Sequence, residues 1–99
     1  MKIIKHYVEA IKDEIHSAKE YAEKYVEYKA KDEMSTAARY REMANDELKH
    51  ANYEHEWAVK EIEKINKIFI APAEMQEEWE KAHKEYVEKV AWIKQMLAM

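Results

Sequence analysis

The chain has 99 residues, no cysteine, no glycine, a single proline and a formal net charge of −4 at pH 7. The lack of cysteine excludes disulfides, thiolate nucleophiles and Cys-ligated zinc. Acidic and basic residues are interleaved, so we expect no nucleic-acid-binding patch. The longest uncharged run, from Ile68 to Ala73, is far too short to span a bilayer, and the charged N-terminus is unlike a secretory signal. A cytoplasmic protein without membrane segments is the default expectation.

The composition predicts an all-α fold in one domain, residues 1–99. Hydrophobic residues make up 47% of the chain, and the alternation and turn pairs typical of strands are absent. A chain of this length buries a modest core by itself, so a partner subunit is expected on thermodynamic grounds.

Apolar residues spaced three and four apart predict three helices, at about residues 2–29, 33–69 and 72–96. The first two would form an antiparallel hairpin, followed by the third as a C-terminal helix. Asp32 is the expected N-cap of the second helix, and Pro72 suits the first turn of the third. The predicted apolar stripe of the first helix is Tyr7, Ile11, Ala18, Tyr21 and Tyr25, with Ile4, Ile15 and Ala22 alongside. The stripe of the second includes Ala37, Tyr40, Ala44, Ala51, Ala58, Ile62, Ile65 and Phe69, and that of the third is Met75, Trp79, Tyr86, Val90, Ile93 and Leu97.

Glu14 is the one acid that falls within the apolar stripe of the first helix. At about 100° per residue, Tyr7 and Tyr25 lie about 20° from it and Ala18 about 40°, whereas the other acids lie about 80° or more outside that arc. An unpaired buried carboxylate costs several kcal/mol, so Glu14 should be paired, protonated or bound to a metal. The alternatives are a glutamate that reaches solvent or one that is hydrogen-bonded to a tyrosine.

Glu47 is central to the stripe of the second helix, and His50 follows one turn later. Glu54 lies about 20° from Glu47, inside the stripe, while His50 and His55 lie on opposite edges, about 60° and 80° away. A Glu three residues before a His is expected by chance in so Glu-rich a chain. The evidence for a site is therefore the position of these residues on the helix face and not their spacing. The alternative interpretation is a cluster of ion pairs between helices.

His83 is expected to be structural, and two other histidines are expected to lie on the surface. Glu80 and His83 repeat the same spacing, but His83 falls among apolar residues, where a satisfied core histidine is commoner than a ligand, and Glu80 should be solvated. His6 and His16 lie outside the first stripe and should be on the surface.

Three segments carry a resemblance to small ferritin-like proteins, a family that includes the encapsulated ferritins and short phage-encoded relatives. They are residues 14–21 (EIHSAKEY), 46–51 (DELKHA) and 72–83 (PAEMQEEWEKAH). The resemblance implies Glu14, Glu47 and His50 as metal ligands, in two subunits that pair into a ferritin-like four-helix bundle with iron between them. Glu54 is apolar in that pattern, so here it would be an extra ligand or an entry carboxylate. The tail that directs encapsulated ferritins into a shell has no counterpart before Met99, so a shell protein is not an expected partner.

The leading hypothesis is a di-iron ferroxidase, with Glu14, Glu47 and His50 as the catalytic ligands in a homodimer or larger homo-oligomer. Carboxylates with one imidazole also suit manganese or zinc. The rival hypotheses are a helical interaction or phage structural module, whose buried charges fix pairing, and a metal carrier without turnover.

Overall fold

The structure is a computed structural model that describes residues 2–68 and 72–99. It contains three helices, α1 (Lys2–Ala30), α2 (Met34–Ile68) and α3 (Ala73–Leu97), and no strand occurs in those residues. They form a rod of 55 × 17 × 17 Å. The all-α prediction is confirmed, and the helix ends agree to within one or two residues; Phe69, the predicted end of the second helix, lies outside the described residues. Within them, no helix is both long and apolar enough to cross a membrane.

The hairpin of α1 and α2 is held by a repeat of seven residues. On α1 the buried residues alternate in spacing between four and three: Ile4, Val8, Ile11, Ile15, Ala18, Ala22 and Tyr25. On α2 every seventh residue is buried: Ala37, Ala44, Ala51, Ala58 and Ile65. This spacing is typical of helices that pack along a shared seam, as in coiled coils. Four of the five α2 positions are alanine, so the two backbones can approach closely.

Helix α3 lies along one side of this hairpin and runs in the same direction as α1. At its start, Met75 packs in a cluster with Ile4 and Ile65. At its end, Ile93 and Leu97 join the cluster that contains the buried alanines. The Lys29 side chain donates a hydrogen bond to the Met99 carbonyl oxygen, which ties the two helix ends together. The third helix therefore covers its own hairpin along most of its length.

The joint between α1 and α2 is a Schellman turn. Asp32 has φ of 61°, in the left-handed region. The Asp32 amide donates to the Lys29 carbonyl and the Glu33 amide to the Tyr28 carbonyl, both at 3.0 Å, which is the pattern of this C-terminal cap. The Ala37 amide donates to the Glu33 carbonyl at 3.0 Å, so Glu33 is the residue that caps α2. The prediction that Asp32 is the N-cap is wrong, because the end of α1 requires that residue.

The buried face of α1 is rotated from the predicted stripe. Ile15 and Ala22 are buried, and so is Val8, which the stripe did not include. Helix α1 packs against both α2 and α3, so its buried arc points toward the groove between them. Glu14 is half-buried on the edge of this arc, as Glu47 is on α2. The prediction that Glu14 and Glu47 lie within the buried stripes of their helices is wrong, because both are half-buried at the edge.

Candidate metal centre

Glu14, Glu47 and His50 come together near the middle of the α1–α2 hairpin. Glu14 is halfway along α1, and the antiparallel turn brings the centre of α2 opposite it. Glu47 and His50 are three residues apart and therefore project from neighbouring turns of one side of α2. One ligand atom from each of the three lies within 4.8 Å of the others. The resemblance to ferritin-like proteins implies these three residues as ligands, whereas Glu54, the fourth residue expected at the site, is not in the group.

The group is open to solvent on one side. The His50 Nδ1 atom lies 3.5 Å from Glu14 Oε2. The Glu14 side chain is 23% exposed and that of His50 55% exposed, so the imidazole forms the outer edge of the site. The distance is too long for a strong hydrogen bond.

The two carboxyl groups are close enough to share a proton. The hydrogen bond with Glu14 raises the pKa of Glu47 from 4.5 to about 7, with help from partial burial and from the negative charge of Glu14. The imidazole of His50 acts in the opposite direction. Two carboxylates at this distance repel one another when both are ionised, and either a proton or a metal cation relieves the repulsion.

Glu54 lies two turns farther along α2 than Glu47, on the same side of the helix. Burial raises its pKa, while His50, a hydrogen bond with Glu14 and His6 lower it. Its Oε2 atom is shielded from solvent, and no hydrogen-bond partner for it exists among the described residues. Glu54 is not one of the three clustered ligands, and its role as a ligand stays a prediction.

His6 contributes to this electrostatic environment, which the sequence analysis missed. Its ring is exposed, as predicted, and so is that of His16. The antiparallel hairpin carries the first turns of α1 past the Glu54 region, so His6 acts on Glu54 from the opposite helix. Matching the residues of the two predicted helices outward from the turn between them would have placed His6 near Glu54.

A row of half-buried residues that includes Glu14 and Glu47 lies on the side of the hairpin away from α3. On each helix, four residues of this row follow one another at intervals of seven. The row consists of Tyr7, Ala10, Glu14, Ser17, Tyr21 and Tyr28 on α1 and Tyr40, Glu47, Glu54 and Glu61 on α2. Ile3 and Met43, which are 42% and 40% exposed, flank it. We call this surface the open face.

Three tyrosines close one end of the open face. The Tyr28 and Tyr40 rings stack with centroids 5.6 Å apart and planes inclined by 8°. Tyr21 lies 6.2 Å from Tyr40 on the side nearer the ligands. Stacked tyrosines pack well and still present hydroxyl groups at the surface.

His55 and His83 lie together on the opposite side of α2 from the ligands. The His55 ring stacks on Tyr86 at 5.0 Å, and the His83 and Trp79 rings lie 5.1 and 5.5 Å away. Burial and the neighbouring His83 lower the pKa of His55. His83 is exposed, so the expectation of a core histidine is wrong, although it does contact a second helix. Glu80 is exposed, as predicted. This aromatic group joins α3 to α2.

The donor set fits a divalent cation of the first transition row. Two carboxylates and one imidazole are ligands that iron, manganese and zinc share. The carboxyl group of Glu14 raises the pKa of Glu47, and a cation bound between the two groups would act in the opposite direction. A single chain supplies three clustered donors, and the other positions around an octahedral ion must be filled by water or by a second chain. Comparisons with protein-family models, with curated proteins and with solved structures gave no match for this chain.

Proposed function

We propose that the protein is a ferritin-like ferroxidase, which binds Fe(II) at Glu14, Glu47 and His50 and oxidises it with O₂ between two copies of the chain. The observation that carries this proposal is the approach of two carboxylates and one imidazole to within 4.8 Å on an open helix face. This is half of the ligand set that di-iron four-helix bundles use, in which two Glu-x-x-His motifs and two further glutamates surround the metals.

The second copy would cover the open face. A two-fold axis through this face would set two hairpins against each other as a four-helix bundle and bring the two half-sites together. The flanking Ile3 and Met43, and the exposed Tyr53 and Trp57 at the edge of the same side of α2, provide apolar area for such a contact. Helix α3 leaves this face clear because it packs on the other side of its own hairpin.

The reaction balances with O₂ as the oxidant. Two Fe(II) ions lose one electron each, and O₂ takes up both electrons and two protons to give H₂O₂ and two Fe(III) ions. Glu14 and Glu47 would hold the ions in the hydrogen-bonded position that they now share, and binding would displace the proton between them. His50, at the outer edge, would complete the ligand set from the solvent side.

An anaerobic titration with Fe(II), followed by exposure to air, tests the proposal. Wild-type protein should saturate at one Fe(II) per chain and then develop ferric absorbance in the near ultraviolet. Glu47→Gln, which has the same size and keeps a hydrogen-bonding group, should bind Fe(II) at least about tenfold more weakly. Glu42→Gln, an exposed position on the same helix, is the matched control and should behave as wild type.

Two results would count against the proposal in different ways. If wild-type protein shows no saturable binding, or Glu47→Gln binds as tightly as Glu42→Gln, the residues do not form a metal centre. If Fe(II) binds with the expected ratio but air produces no ferric absorbance, the protein is a metal carrier and the oxidation step is wrong.

A further inference from the structure

We infer that the second copy lies head to tail across the open face, so that the Tyr40 hydroxyl of each copy donates a hydrogen bond to Glu54 of the other. The inference rests on the proposed pairing of two copies and deepens it. That pairing brings the two metal half-sites together whichever way the second rod points, whereas the side chains on either side of the ligands favour one direction.

The open face keeps one register from its centre toward the α1–α2 turn. Glu14 and Glu47 lie opposite each other, with ligand atoms within 4.8 Å. Seven residues closer to the turn on each helix, the Tyr21 and Tyr40 rings also lie opposite each other, with centroids 6.2 Å apart. Seven residues make two helical turns, so this pair of tyrosines lies about 10 Å along the rod from the two carboxylates.

The open face carries an acid at the same distance in the other direction. The same register places Tyr7 of α1 opposite Glu54 of α2, and both side chains are half-buried. Glu61, one repeat farther along α2, is already paired with Lys64 at 3.4 Å. The open face therefore has two unlike halves, with tyrosine hydroxyl groups toward the turn and carboxyl groups away from it.

A head-to-tail pairing sets these unlike halves against each other. Its two-fold axis crosses the face at the level of the ligands, at right angles to the rod, so that each helix lies antiparallel on its counterpart. Tyr40 of one copy then meets Glu54 of the second copy, and Tyr21 meets Tyr7 of the second copy. A hydrogen bond to a carboxylate is stronger than a neutral one, and tyrosine rings pack well in pairs. Each contact occurs twice because the interface is symmetric.

The opposite direction sets like halves against each other. Its two-fold axis runs along the rod, so the Glu54 carboxyl groups of both copies fall in one layer of the interface and Tyr40 has no carboxyl group in its layer. Like charges across an interface disfavour a pairing and thereby select its register. In the head-to-tail pairing the two Glu54 groups are about 20 Å apart, beyond the screening length of about 8 Å at physiological salt.

Distances between spin labels on two copies test the direction. The chain has no cysteine, so one introduced cysteine carries one label per copy. Asn66 is exposed near the end of α2, about 29 Å along the rod from Glu47. With Zn(II), which is diamagnetic and suits the same ligands, labels on Asn66→Cys should lie about 55–60 Å apart in the head-to-tail dimer. Asn52→Cys, an exposed position close to the level of the ligands, is the control and should give a distance below about 40 Å in either direction.

Removal of one hydroxyl group tests the contact itself. Tyr40→Phe should raise the dissociation constant of the dimer about tenfold, because two hydrogen bonds to carboxyl groups are lost per dimer. Tyr53→Phe removes a hydroxyl group from an exposed tyrosine of the same helix and should dimerise as wild type does. An unchanged dissociation constant for Tyr40→Phe would overturn the hydrogen bond to Glu54.

The labels separate failure of the direction from failure of the pairing. A dipolar signal from Asn52→Cys, together with a distance below about 40 Å for Asn66→Cys, would overturn the head-to-tail direction and leave the metal centre and the dimer in place. Absence of a dipolar signal at both positions would overturn the pairing of two copies, and with it both this inference and the two-copy site of the proposed function.

Discussion

The shared proton between Glu14 and Glu47 makes the stability of the metal-free protein depend on pH. Folding raises the pKa of Glu47 from 4.5 to about 7, so the folded state holds this proton more tightly than the unfolded state. The resulting stabilisation is complete below pH 4.5 and is lost as the pH rises through 7. Replacement of Glu47 by Gln, which cannot ionise, should remove that loss.

The magnitude follows from the pKa values. At about 1.4 kcal/mol per pH unit, the rise from 4.5 to about 7 corresponds to about 3 kcal/mol. Glu47 is only partly buried, so solvent screening should reduce this to about 1–2 kcal/mol. For a domain of this size, 1 kcal/mol shifts the unfolding midpoint by about 4–8 °C. Glu47→Gln should therefore unfold about 5–10 °C above wild type at pH 8, and within about 2 °C of it at pH 5.

Thermal unfolding followed by circular dichroism in the presence of a chelator measures this difference. Burial also raises the pKa of Glu54 and lowers that of His55, but both groups are retained in the variant and cancel in the comparison. Glu42→Gln should track wild type at both pH values. The reasoning is refuted if Glu47→Gln gains the same stability at pH 5 as at pH 8, or if it is the less stable protein at pH 8.

Three further predictions concern the joint, the seam and the open face. Asp32→Gly should raise the free energy of unfolding by about 0.5–1 kcal/mol in denaturant titrations, because the left-handed conformation at Asp32 is strained for a residue with a side chain. A loss of stability would contradict the Schellman turn. Ala51→Leu should destabilise the hairpin by about 1–3 kcal/mol, because Ala51 is fully buried where α1 and α2 pack closely. An unchanged unfolding midpoint would show that the space between the helices accommodates a larger side chain there. Addition of Mn(II) at pH 7.5 should shift the protein toward dimer in sedimentation experiments, because in the proposed dimer the carboxylates of the two open faces would repel one another without a cation. Glu42→Gln should respond in the same way, and a dimer that a chelator leaves intact would refute the link between metal and dimer.

The helices could be predicted from the sequence because their signals are local. The spacing of apolar residues and the position of Pro72 located all three helices, and the spacing of Glu47 and His50 placed them on one side of α2. The partnership of Glu14 with these two residues was implied by the resemblance to ferritin-like proteins, and the antiparallel hairpin brings the three together.

The buried face of α1, the role of Asp32 and the contacts of α3 depend on tertiary packing, which the spacing of residues along the chain does not encode. The buried face of α1 is set by two neighbours at once, so Ile11, Ala18 and Tyr25 of the predicted stripe are buried, whereas Tyr7 and Tyr21 are only half-buried. Asp32 suits a helix start and a left-handed helix end equally well as a residue type, and only the backbone distinguishes them. The contact of His55 with His83 required knowledge of which side of the hairpin α3 covers.

The buried alanines of α2 determine which part of the hairpin opens most easily. Alanine contributes little apolar area, so the middle of the hairpin gains less from burial than the end where Ile4, Val8, Ile65 and Met75 pack together. Local opening should be easiest near the carboxylates, and amide hydrogens there should exchange sooner than those at the isoleucine-rich end. A bound cation would crosslink α1 to α2 at the point where side-chain packing is thinnest, and would thereby make the rod uniformly rigid.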